Sequence, residues 1–169
     1  MIKSFLSSVF ILLCAAIIQA AILSNMAILP AIPDLSLICI LYFSIQNGKL
    51  MGETTGFVSG LLLDFLGAGP FGLNCLIRTG IGYVTGLFNR TINTDGIIIP
   101  ALLGLAATVA KALLLFLLSY LYPTAVMRYN PFSWLFLFEL CANVILSPIM
   151  FKFLGLLKKI LVLRPESVA

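Results

Sequence analysis

Residues 52–74 read GETTGFVSGLLLDFLGAGPFGLN. Gly52, Gly56 and Gly60 recur at every fourth position, a spacing that sets them in one stripe on a helix. Small residues in such a stripe let a second backbone approach closely, which is how helices pack where lipid removes the usual hydrophobic drive. Asp64 is the next step of the series. It drifts about 40° around the helix per step, because a turn holds about 3.6 residues, and so stays near the packed face. GAGPFG at 67–72 reads as a turn, and the chain returns from residue 73. A lone carboxylate at the centre of a bilayer is expensive, so Asp64 calls for a partner. Arg78 lies six residues beyond Gly72, and Asp64 three before Gly67. At about 1.5 Å per residue these depths are similar on two antiparallel helices. The stretch therefore predicts an intramembrane pair between Asp64 and Arg78. That pair is either a structural neutralisation or part of a solvated cavity or partner site facing the outer leaflet.

Composition gives the setting. The chain has 169 residues, 62% hydrophobic and 9% charged, against about 25% charged in soluble domains. It reads as one integral membrane domain over 1–169, all-α and polytopic. Histidine is absent, which removes the commonest metal ligand and catalytic base. Cys14, Cys39, Cys75 and Cys141 sit singly in apolar runs and read as small buried residues. There is no phosphate loop, no HExxH and no paired acidic metal motif. The expectation is a protein that is not an enzyme, with no cofactor and no metal. The net charge of +4 is dispersed and points to membrane orientation and lipid contact rather than to nucleic acid.

Six spans follow, at about 4–26, 34–48, 52–67, 73–89, 97–122 and 132–154. The first is favoured over a cleaved signal peptide because its apolar run continues past AAIIQA. Asp34 after Pro33 suits a helix start, and Gly48 a stop. Spans two and three are short enough that a kinked or partly re-entrant path stays open. Lys3, Lys49, Arg90, Lys152, Lys158, Lys159 and Arg164 fall on the side of the termini, and Arg128 falls opposite. The positive-inside rule then sets both termini in the cytoplasm. Lys111 and Glu139 form a weaker second candidate pair, about 6 Å apart in depth. Gly82 with Gly86, and Ala16 with Ala20, are further small-residue pairs.

The segment from Pro33 to Leu76 resembles the rod shape-determining protein MreD family. Pro33, Asp34 and Leu35 match the start of its second span, and Gly48 with Lys49 its basic turn. Gly56, Phe57, Gly60, Leu61 and Asp64 match its Gly-Phe-x-x-Gly-Leu-x-x-Asp run, and Pro70, Gly72 and Asn74 its closing turn. The resemblance implies a non-enzymatic inner-membrane component of the bacterial elongation machinery. Its expected direct partner is MreC, with MreB, RodA and a class B penicillin-binding protein reached indirectly. The implied roles are lateral peptidoglycan synthesis and cell shape. The family also looks like the substrate-binding subunits of energy-coupling-factor transporters in fold, which supplies the alternative function. Ala16 and Ala20 would fit the Ala-x-x-x-Ala coupling pattern of those subunits.

Overall fold

The computed structural model describes residues 2–22, 30–67, 69–89, 91–94, 96–122 and 133–162. Every regular element among them is helical: α1 Ile2–Ile17, continued by a π-helical segment Ile18–Ile22, α2 Leu35–Asn47, α3 Lys49–Leu66, α4 Leu73–Leu87, α5 Ile98–Leu121, α6 Trp134–Leu156 and the short α7 Lys158–Leu161. The first expected span ran to 26, but residues 23–29 lie outside the described residues, as do Arg90, Arg128 and Arg164, on which the charge count partly rests.

Helix α2 is the hub. It touches α1, α3, α4, α5 and α6, and every residue from Ser36 to Ile45 is buried. A helix that is apolar all round is buried either in protein or in lipid, and α2 is buried in protein. Around it the outer helices turn apolar residues outward, among them Phe10 on α1, Leu113 and Leu117 on α5, and Ile145 and Phe153 on α6, all exposed. Such a belt suits lipid, not water. Among the described residues, three helical stretches are long and apolar enough to cross a membrane: Ser4–Ala21, Ile98–Leu121 and Trp134–Leu156.

One described boundary differs from the sequence expectation by more than two residues. Helix α3 begins at Lys49, not at 52, because Gly48 alone makes the break. Its φ of 90° lies where glycine is at home. Its N–H donates to the Ser44 carbonyl at 2.8 Å, and its own carbonyl accepts from the Gly52 N–H at 3.0 Å. One residue thus closes α2 and opens α3. At the other end of the chain, α7 folds back on α1. The Leu161 carbonyl accepts from Ser4 Oγ at 2.5 Å and from Asn47 Nδ2 at 3.0 Å, joining the start of α1 and the end of α2 to α7.

Candidate functional site

The glycine stripe lies against α4. A Cβ added at Gly52 would collide with the Gly82 carbonyl, one at Gly56 with the Arg78 carbonyl, and one at Gly60 with the Cys75 backbone. Gly86 meets Lys49 in the same way. Only residues without a Cβ allow two backbones this close. These contacts also fix the register of the two helices. They put Asp64 opposite the start of α4, about 12 Å along the axis from Arg78, since Gly56 faces Arg78 and Asp64 lies eight residues further on.

Asp64 and Arg78 are accordingly not a pair. Counting depth from the turn takes the two helices as symmetric about it, whereas the carboxylate caps α4 itself. Asp64 Oδ2 accepts from the Gly72 N–H at 2.9 Å and the Cys75 N–H at 3.3 Å. Its Oδ1 accepts from the Asn74 N–H at 3.1 Å and from Asn74 Nδ2 at 2.9 Å. The first N–H groups of a helix have no partners within it, and negative charge is favourable there. Gly72, at the cap position of α4, has no side chain to serve, and its φ of 93° is left-handed. Asp64 thus supplies from α3 the cap that α4 lacks, and three of the motif residues, Asp64, Gly72 and Asn74, form one unit. The Pro70 carbonyl accepts from the Leu73 N–H at 3.3 Å within the same turn. Phe57 instead has an exposed ring.

Arg78 pairs with Asp34. Its Nη2 lies 2.6 Å from each Asp34 oxygen. Its Nη1 donates to Ser36 Oγ at 2.9 Å and to Ser59 Oγ at 3.0 Å. Asp34 is also the cap of α2, accepting from the Leu37 N–H at 3.1 Å. Lys111 Nζ reaches Asp34 Oδ2 at 2.9 Å and Glu139 Oε1 at 2.6 Å. Of the two candidate pairs of the sequence, Lys111–Glu139 forms and Asp64–Arg78 does not, and one chain, Arg78–Asp34–Lys111–Glu139, runs through α4, the start of α2, α5 and α6. Two cations meet two carboxylates, so the cluster is neutral. Its inner end is dry, with the side chains of Arg78 and Asp34 3% and 1% exposed. Its outer end is more open, with Lys111 at 20% and Glu139 at 15%. A buried ion pair is retained only when further hydrogen bonds satisfy the remaining polar atoms, which the serines do here.

A polar seam extends the cluster between α5 and α6. Asn143 Oδ1 accepts from the Asp34 N–H at 2.8 Å, and Asn143 Nδ2 donates to Thr108 Oγ1 at 3.0 Å. Gly104 packs against Ser147 and Asn143, where a Cβ would collide with the serine hydroxyl. The sequence reading missed Asn143, Ser36, Ser59, Thr108 and Gly104. A usable signal existed: Glu139, Asn143 and Ser147 are spaced by four on α6, as are Gly104 and Thr108 on α5, so each set shares a face. Pro33 is buried beside the cluster. Of the alanine pair, Ala16 on α1 is buried and Ala20, on the π-helical segment, is exposed.

A protein-family model described as rod shape-determining protein MreD matches residues 1–157. No curated protein and no solved structure matches the chain.

Proposed function

The chain belongs to the MreD family, the rod shape-determining proteins, and from that premise we propose a non-enzymatic scaffold of the bacterial inner membrane. It crosses the bilayer six times with both termini in the cytoplasm. It binds MreC, and through that contact supports MreB, RodA and a class B penicillin-binding protein in lateral peptidoglycan synthesis. One observation carries the scaffold reading. Both oxygens of Asp34 and both terminal nitrogens of Arg78 are engaged by neighbouring helices, so the polar interior joins helices instead of offering a reactive group. The short α2 and α4 fit the six-span reading. At 13 and 15 residues they run about 20 Å, less than the ~30 Å hydrocarbon layer, but a helix end inside protein need not reach the interface.

The alternative, a substrate-binding subunit of an energy-coupling-factor transporter, draws on family likeness and on the Ala16–Ala20 spacing. Ala16 is buried and Ala20 exposed, so the two alanines do not present one open face to a coupling partner. Affinity purification from native membranes with mass spectrometry separates the two. Recovery of MreC and wall-synthesis enzymes supports the scaffold. Recovery of a coupling ATPase with its membrane partner, and no MreC, would overturn it. A C-terminal fluorescent fusion tests the orientation independently: fluorescence supports a cytoplasmic end, and a dark, stable fusion contradicts it.

A further inference from the structure

A cleft of about 350 Å³ opens where the end of α2, the start of α5 and the end of α6 meet; its wall includes Tyr42, Gln46, Thr94, Pro148, Lys152 and Lys158. Tyr42 is 2% exposed, and its hydroxyl has no hydrogen-bond partner among the described residues. Its ring is held edge-on against Phe151, with centroids 5.4 Å apart, which fixes the position of the hydroxyl in the wall. A buried hydroxyl without a partner costs about 1–3 kcal/mol, so one maintained in a cleft wall points to an absent acceptor. Thr94 Oγ1 already accepts from Gln46 Nε2 at 3.1 Å, which leaves its own proton to donate. Lys152 and Lys158, both exposed at the rim, form no ion pair with a described residue. The cleft therefore gathers two hydroxyl donors and two cations. Ile97 in its wall and Leu156 next to it in sequence from Gly155 are exposed and apolar, which suits acyl chains at the edge of the bilayer.

We infer that this cleft holds the phosphate of an anionic lipid headgroup, with Tyr42 and Thr94 donating to its oxygens and Lys152 and Lys158 balancing its charge. The inference rests on the membrane orientation proposed above, since basic pockets between helices at the cytoplasmic surface suit such headgroups. It goes beyond the scaffold role by giving the protein a lipid preference of its own.

The test is native mass spectrometry of the purified full chain, exposed in turn to phosphatidylglycerol and phosphatidylethanolamine at equal concentration. The parent should retain one phosphatidylglycerol about tenfold more readily than phosphatidylethanolamine. The variant Lys152→Ala/Lys158→Ala should lose that preference. Tyr42→Phe should weaken phosphatidylglycerol binding about fivefold while its lipid-free melting temperature stays level or rises, because the unpartnered hydroxyl is gone. Asp95, between two wall residues in sequence, lies outside the described residues; Asp95→Asn should bind at least as tightly as the parent. Equal phosphatidylglycerol retention by the parent, the double lysine variant and Tyr42→Phe overturns the proposal. Displacement of the lipid by glycerol 3-phosphate would assign the site to a soluble phosphate and overturn the lipid assignment, whereas no displacement supports it. A dark C-terminal fusion combined with intact lipid selectivity would refute the orientation and leave the cleft standing.

Discussion

The α3–α4 pair and the seam joining α2, α5 and α6 solve the same problem in different ways. Lipid tails are as apolar as leucine, so apolar surface alone does not drive these helices together. Between α3 and α4 the answer is shape. Gly52, Gly56, Gly60, Gly82 and Gly86 bring backbone against backbone, and the one carboxylate at that interface, Asp64, ties off the turn. Across α2, α5 and α6 the answer is charge and hydrogen bonding, with Asp34 reached by Arg78, Lys111 and the amide of Asn143. Arg78 belongs to both regions. Its backbone meets Gly56, and its side chain meets Asp34. The contrast teaches that an intramembrane charge need not pair with the nearest charge in sequence. It pairs with whatever the close-packed backbone aims it at.

Breaking the charged region should have the largest effect. Asp34→Asn leaves Arg78 and Lys111 facing each other with no carboxylate between them, and Glu139, beyond Lys111, alone to balance two cations. Breaking a buried pair costs about 3–5 kcal/mol, so this variant should lose most of its monodisperse peak in heated size-exclusion chromatography. Removing the surplus cation as well restores neutrality, so Asp34→Asn/Lys111→Met should melt higher than Asp34→Asn alone. A double variant no better than the single would show that the charge balance is not what the cluster supplies.

On the shape side, Gly56→Leu should cost about 3 kcal/mol, the upper end of ordinary overpacking, because the obstacle is backbone. Gly80→Leu is its control, since open space surrounds that glycine, and it should melt near the parent. Similar melting of the two variants would refute the close approach of α3 and α4.

Smaller still is Asp64→Asn. It replaces an acceptor of four hydrogen bonds with a group that accepts on one side only, at about 1–2 kcal/mol. Faster amide hydrogen exchange at the start of α4 should accompany it, and unchanged exchange there would argue against the cap. Glu139→Gln should be mildest, about 1 kcal/mol or less, because its pair with Lys111 is partly open to its surroundings. A loss as large as that of Asp34→Asn would mean that the outer end of the cluster matters as much as the dry one.

Much of this was legible in the residues. The helical class, the turn at 67–72, the stop at Gly48 and the Asp34 start all follow from local chemistry that acts within one turn of the chain. The glycine stripe was legible too, because four-residue spacing survives any tertiary arrangement. The partner of Arg78 was not. Its choice depends on the register of α3 against α4, which the glycine contacts set to within a residue and a depth count cannot. Asp34 was read as a cap, and a cap can also be a counter-ion, since one carboxylate has lone pairs for both. The seam through Asn143 and Thr108 was obscured because lone polar residues in apolar helices look unremarkable until two helices present them to each other.

The most direct test is a pair of double-mutant cycles on melting in detergent, one joining Asp34→Asn with Arg78→Met and the other joining Asp64→Asn with Arg78→Met. The account predicts a coupling of about 1.5 kcal/mol or more in the first cycle and additivity within about 0.5 kcal/mol in the second. Strong coupling of Asp64 to Arg78, with Asp34 additive, would contradict it.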